Sequence, residues 1–227
     1  MKCKKIVLGY VPVMRDTFPV APARQMRDRI RARVDEILQG NEHIELADAA
    51  PLLPDGMLWD NADVEKVAAF LEEKHADALF LPHCNFGQEE AAAELAARLG
   101  RPVLLWGPRD PAPEGLNYRP LDIQCGLFAT SKALVRYGVP FTYLENCNLD
   151  SEILAEGLDR FARTVAVVKA MRGMRVGQIG LRPRQFLSVK VNESELLEKF
   201  GIEVTPIWTE EILSLIHISE PTRRTPI

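Results

Sequence analysis

Short apolar runs alternate along the chain with longer amphipathic segments. Five runs are bounded by turn-forming residues, as buried strands are, and each precedes a segment whose apolar residues recur at spacings of three and four. The predicted strands are 6–11, 44–47, 78–81, 103–106 and 141–144. The helices that follow them are predicted from apolar stripes within 26–38, 64–71, 92–99, 127–135 and 154–168.

Strands that are apolar on both faces are typical of a parallel sheet covered by helices on each side. Right-handed crossovers make such a sheet doubly wound, so the sequence predicts an α/β fold of the Rossmann or flavodoxin-like type over residues 1–171. A further strand, helix and strand predict the beginning of a second α/β domain over 172–212. Two strands and one helix do not bury a core by themselves, so we expect this second domain to be truncated.

The last residues, 213–227, resemble the in-frame translation of a sequencing-library adapter. We therefore expect this tail to be non-native. The alternative is a genuine amphipathic strand at the end of the chain.

The composition narrows the class of protein. Hydrophobic residues make up 47% and charged residues 26%, as in a globular domain. The net charge of −4 argues against a nucleic-acid partner, and no apolar run is long enough for a membrane span or a signal peptide. The four cysteines have neither zinc-site nor disulfide spacing, which favours a reducing, cytoplasmic compartment; they are Cys3, Cys84, Cys125 and Cys147. We expect the last three to be small buried side chains.

Polar residues follow the predicted strands at their carboxyl ends, where ligands bind in an open parallel sheet. The candidate substrate-binding residues are Arg15, His83, Asn85, Trp106 and Arg109. Their donors and acceptors suit the hydroxyls of a polyol, and an indole face can cover the apolar side of such a ligand. We expect the fold to bring them onto one edge of the sheet.

Several of these residues also have a purely structural explanation. Arg15 would pair with Asp16 or with a helix C-terminus, His83 would satisfy a nearby backbone carbonyl, and Arg109 would form an ion pair with Asp110. The arginines of the first helix are expected to form a solvated face or a subunit contact; they lie at positions 24, 27, 29, 31 and 33.

Motifs for other chemistries are missing from the sequence. No glycine-rich phosphate loop follows the first strand, no nucleophile elbow is present, and no histidine–carboxylate cluster has metal-site spacing. These absences argue against a nucleotide- or dinucleotide-binding function and leave no convincing metal site in this chain.

Five segments together resemble the L-fucose/L-arabinose isomerase family, in its fucose isomerase-like branch. They are 81–89, 105–110 and 122–129 for the N-terminal domain, and 171–180 and 200–204 for the opening of the second domain. The resemblance covers residues 1 to about 212. It implies an intramolecular oxidoreductase of carbohydrate metabolism, an aldose–ketose isomerase that uses Mn²⁺ or another divalent cation. In this family a metal polarises the sugar and a carboxylate moves a proton between C1 and C2.

The resemblance places those metal ligands and catalytic residues beyond the end of this chain, so we expect the fragment alone to be inactive. It also implies a homo-oligomer, a hexamer or trimer of dimers, in which the N-terminal domain lends loops to a neighbouring subunit's pocket. Arg15 matches the family's arginine after the first strand, and 83–86 matches its substrate-covering loop. An aromatic expected in that loop is replaced here by Cys84 or Asn85.

Two other functions stay open at this point. One is a non-catalytic sugar-binding or regulatory α/β domain, which downstream sequence without metal-ligating residues would favour. The other is a flavodoxin-like module, although its first loop would be rich in Ser, Thr and Gly, and this one is not.

Overall fold

A computed structural model describes residues 5–112 and 119–219, and it describes the backbone alone for 215–219. Cys3 and the end of the predicted non-native tail therefore lie outside the described residues. The chain forms two compact units, one ending at Ala166 and the other beginning at Val167. The domain boundary at residue 171 stays a prediction; it is the last residue of the helix Glu152–Met171, which continues past Ala166.

The first unit contains a five-stranded, all-parallel sheet with the strand order β2-β1-β3-β4-β5. This order is that of the flavodoxin-like doubly wound sheet, and it confirms the predicted fold class. The strands are β1 Ile6–Tyr10, β2 Ile44–Asp48, β3 Ala78–Pro82, β4 Val103–Trp106 and β5 Phe141–Tyr143. The helices are α1 Val20–Leu38, α2 Val64–Glu73, α3 Glu89–Leu99, α4 Ile123–Arg136 and α5 Glu152–Met171. Short 3₁₀ turns occupy Ala50–Leu52, Pro54–Gly56 and Asn61–Asp63 between β2 and α2.

Adjacent residues of β1 show that helices cover both faces of the sheet. A Cβ atom on Gly9 would lie 2.9 Å from Cδ2 of Leu71 in α2. The ring centroid of Tyr10, which points to the other face, lies 5.6 Å from Cζ of Arg31 in α1. The interior strands β3 and β4 are buried throughout, whereas the outer strand β5 is partly exposed, so the prediction of strands apolar and buried on both faces is wrong for β5.

The second unit contains β6 Arg175–Ile179 paired in parallel with β7 Glu203–Ile207, and α6 Glu193–Phe200 between them. A 3₁₀ turn lies at Leu187–Val189, and α7 Thr209–Ser219 follows β7. From Val167 onward, Ile202 is the one buried hydrophobic side chain among the described residues. Because α7 includes residues 213–219, the start of the predicted non-native tail is helical, whereas the alternative prediction for it was a strand.

Within the described residues, no helix has both the length and the apolar character needed to cross a membrane.

Candidate substrate-binding edge

Backbone hydrogen bonds continue the parallel sheet past its carboxyl ends and gather the four following loops. The N–H of Cys84 donates to the Val13 carbonyl at 2.9 Å, and the N–H of His83 donates to the Trp106 carbonyl at 2.9 Å. The N–H of Arg109 donates to the Cys147 carbonyl at 2.8 Å. The structure therefore brings the five candidate residues to one edge of the sheet, here called the carboxyl edge.

Asn85 joins the loop after β3 to the loop after β1. Its Oδ1 accepts from the backbone N–H of Arg15 at 2.7 Å and from that of Gly87 at 3.0 Å. Its Nδ2 donates to the carbonyl oxygen of Arg15 at 3.0 Å. The side chain is fully buried, so Asn85 positions Arg15 instead of facing solvent.

The guanidinium of Arg15 rests on an aromatic support. Its Cζ lies 4.4 Å from the ring centroid of Phe86, and the Phe86 ring stacks on Phe18 with centroids 5.5 Å apart. One guanidinium nitrogen lies 3.5 Å from Oε1 of Glu89, so the ion pair of Arg15 is with Glu89 at the start of α3, where the structural alternatives were Asp16 or a helix C-terminus. The side chain keeps 24% of its surface exposed, which leaves a cation held in place at the edge.

Phe86, Phe18 and Glu89 are functional candidates that the sequence analysis did not single out, although it placed Phe86 at the end of the loop 83–86. Phe86 supplies an aromatic ring next to Asn85, one of the two positions where the aromatic implied by the resemblance is replaced. The sequence did contain a clue to the role of Phe86, because this residue lies within the loop that resembles the family's substrate-covering loop. Phe18 gave none, since only the fold places it against Phe86.

His83 is a buried support of the same loop. Its Nδ1 lies 3.0 Å from the carbonyl oxygen of Phe86, and because a carbonyl only accepts, Nδ1 carries the hydrogen. Burial lowers the pKa of His83 to about 4, although hydrogen bonding to the backbone of Phe86 and Asn85 raises it in part. The ring is therefore neutral near pH 7 and holds the turn, which is the structural explanation that the sequence offered.

Trp106 and Arg109 differ in their access to solvent. Trp106 is fully buried, and its ring centroid lies 6.4 Å from that of Phe80 within the core. Arg109 is exposed. Among the described residues it forms no ion pair with Asp110, whose carboxylate accepts instead from the backbone N–H groups of Ile123 at 2.9 Å and Gln124 at 3.2 Å. Asp110 thus caps α4 from the preceding loop.

The cysteines depart from the prediction in one case. Cys84 and Cys147 are buried, but Cys125 is exposed on α4, and all three are free thiols. Burial raises the pKa of Cys84, which keeps it protonated and unreactive.

The described residues also do not fit a metal. No group of three or more His, Cys, Asp or Glu side chains gathers in this part of the chain to hold an ion. We assign no step of a reaction to a metal held here.

An open, all-parallel sheet of flavodoxin order flanked by helices defines a doubly wound α/β domain. The family model described as the fucose/sulfoquinovose isomerase N-terminal domain matches residues 9–172, and the chain belongs to this family. This match confirms the resemblance found in the sequence.

Curated relatives agree with the family. The chain is 27% identical over 196 residues to the sulfoquinovose isomerase of Priestia megaterium, covering 85% of this chain and 40% of that protein. It is 28% identical over 200 residues to the sulfoquinovose isomerase of Alkalicoccus urumqiensis, covering 87% of this chain and 41% of that protein. The chain thus spans about two fifths of the length of the relatives that it matches.

Proposed function

We propose that the chain is the N-terminal, substrate-binding part of a sugar ketol-isomerase of the cytoplasm. The observation that carries this proposal is the Arg15 guanidinium, held on Phe86 at the carboxyl edge of a domain that belongs to the fucose/sulfoquinovose isomerase family. A guanidinium there can donate to the oxygen atoms of a sugar and stabilise negative charge that develops on them.

The proposal divides the work between this chain and the rest of a longer protein. Arg15 and Arg109 would contact the sugar, while His83, Asn85 and Trp106 would shape the loops from beneath, because these three are fully buried. The divalent cation and the carboxylate that transfers the proton would come from outside the described residues. In a homo-oligomer, the carboxyl edge would complete the pocket of a neighbouring subunit.

The names of the relatives suggest the substrate. They are sulfoquinovose isomerases, and sulfoquinovose is a hexose that carries a sulfonate. We propose this sugar, or one closely similar, as the substrate, since the guanidiniums of Arg15 and Arg109 at the carboxyl edge can each bind an anionic group.

The test is isomerisation of sulfoquinovose by the full-length protein with Mn²⁺, followed by NMR. Arg15→Gln should lower kcat/KM by roughly 10- to 100-fold, as expected for loss of charge-assisted hydrogen bonds. Arg98→Gln is the matched control, because Arg98 is an exposed arginine of α3 that pairs with Glu65 away from the loops after the strands.

The 227-residue chain should show no turnover above a metal-free control with any aldose. Turnover by the chain alone, or full activity of the Arg15→Gln enzyme, would contradict the proposal. Sugar binding by the full-length protein without any turnover would favour the alternative, a non-catalytic sugar-binding domain.

A further inference from the structure

The arginines of α1 divide into four that are paired and one that is not. Carboxylates neutralise four of them: Arg24 with Asp55, Arg27 with Asp28, Arg31 with Asp35 and Asp48, and Arg33 with Glu36. Arg29 is exposed and has no ion pair or hydrogen bond within the described residues. The prediction of a solvated face or a subunit contact does not say why this one guanidinium lacks a partner among the described residues.

Arg29 lines a cavity of about 390 Å³ together with Arg109. The cavity lies between α1, the loop after β4 and the loop after β5, and its apolar lining includes Met26, Pro108 and Leu149. The guanidinium of Arg109 likewise has no partner among the described residues. The volume falls in the range of pockets that hold small organic ligands.

Two carboxylates also line the cavity, but among the described residues neither forms an ion pair with Arg29 or Arg109. Asp110 accepts two backbone N–H groups at the start of α4. Asp150 lies two residues before the start of α5, where the helix dipole favours a negative charge. The N–H groups of the two guanidiniums therefore remain available to donate to an anionic ligand.

We propose that this cavity binds a small sugar-like molecule through its tetrahedral oxyanion, a sulfonate or a phosphate, held by Arg29 and Arg109. The planar fork of a guanidinium matches two oxygens of such a group at once. The apolar lining packs against the carbon skeleton, and the side chain of Asn148, which also lines the cavity, is available to hydroxyls. The site shares Arg109 with the proposed sugar contacts but includes neither Arg15 nor Phe86, and binding to it can be measured without isomerase activity.

Calorimetric titration of the 227-residue chain tests the site with three probes: sulfoquinovose, glucose 6-phosphate and uncharged glucose. An anionic probe should bind, and Arg29→Gln and Arg109→Gln should each weaken it by about 10-fold or more, the loss expected for a charge-assisted hydrogen bond. Arg24→Gln removes the same charge from the same helix, outside the cavity, and should leave the affinity unchanged. Thermal melting of each variant shows that it has folded.

The pattern across the probes identifies the source of the oxyanion. Binding of sulfoquinovose alone supports a sulfonate site, binding of glucose 6-phosphate alone supports a phosphate site, and binding of both supports recognition of the shared geometry. Three results would overturn the proposal. They are glucose binding as tightly as the anions, no binding of either anion, and an affinity of the folded Arg29→Gln and Arg109→Gln variants equal to that of the wild type. Because no turnover is measured, failure here removes Arg109 as an anion contact, while the isomerase proposal is tested separately by turnover and by Arg15→Gln.

Discussion

The amide of Asn85 bonds both backbone polar groups of Arg15, accepting from its N–H at 2.7 Å and donating to its carbonyl oxygen at 3.0 Å. The two residues are 70 positions apart in the chain. This pairing fixes the backbone beneath the guanidinium, so the position of the proposed sugar contact depends on a residue that no ligand can reach.

Replacing Asn85 should therefore destabilise the first unit. Asn85→Ala leaves buried groups of Arg15 and Gly87 without partners and should cost about 2–3 kcal/mol in the free energy of unfolding. Urea denaturation measures the change, with Gln124→Ala as the control because it removes an exposed amide. Equal stability of Asn85→Ala and the control would show that the three hydrogen bonds contribute nothing.

Gly126 packs α4 against the loop that carries Phe86. A Cβ atom at this position would lie 1.7 Å from the carbonyl oxygen of Phe86, and a backbone atom cannot swing aside. Alanine normally stabilises a helix relative to glycine by about 1 kcal/mol, but here Gly126→Ala should destabilise by about 3 kcal/mol. Thermal or urea unfolding measures the sign of the change, and a Gly126→Ala variant more stable than the wild type would contradict the close contact with Phe86.

Gly157 in α5 provides the comparison for Gly126. A Cβ atom there would lie 2.5 Å from Cδ1 of Leu144, the end of a flexible side chain that can move. Gly157→Ala should therefore cost clearly less than Gly126→Ala. The reverse order would contradict the close approach of α4 to Phe86.

Buried His83 should make the protein less stable as the pH falls. The pKa of His83 is about 4 in the folded protein and about 6.5 in an unfolded chain, so between these values the unfolded state binds more protons. The contribution of His83 to the free energy of unfolding is fully present above about pH 6.5 and is lost progressively towards pH 4. Between pH 7 and pH 5 the loss is about 2 kcal/mol.

The measurement is urea denaturation at pH 7 and pH 5 for the wild type and for His83→Gln. The variant should lose less stability between the two pH values than the wild type does. His75→Asn serves as the control, because His75 is exposed and asparagine tolerates its positive φ of 53°. An identical pH dependence of the wild type and His83→Gln would exclude a lowered pKa for His83.

The carboxylate of Asp110 should contribute to stability as the cap of α4. Asp110→Ala removes the acceptor of two backbone N–H groups and should cost about 1 kcal/mol, while Asp110→Asn keeps one acceptor and should retain part of it. Asp16→Ala, an exposed carboxylate in the loop after β1, should change the unfolding free energy by less than about 0.5 kcal/mol. If Asp110→Ala is as stable as Asp16→Ala, the carboxylate of Asp110 does not stabilise α4 as a cap.

Local patterning was enough to predict the strands, the helices and the carboxyl edge. Apolar runs such as 78–81 and 103–106 have the length and the flanking residues of buried strands, and the alternation of strand and helix leaves few arrangements other than a doubly wound sheet. That topology in turn places the loops after β1, β3 and β4 together, so the neighbourhood of Arg15, His83 and Arg109 followed from the sequence.

Only the tertiary structure decided which of those polar side chains reach solvent and what holds them. His83, Asn85 and Trp106 are buried, Cys125 is exposed, and Asp110 caps a helix that begins 13 residues later. The physical reason is that burial and hydrogen-bond partners depend on elements far apart in the chain. A contact such as that between Arg15 and Phe86 leaves no periodic pattern in the sequence, because it forms only when two parallel strands are side by side.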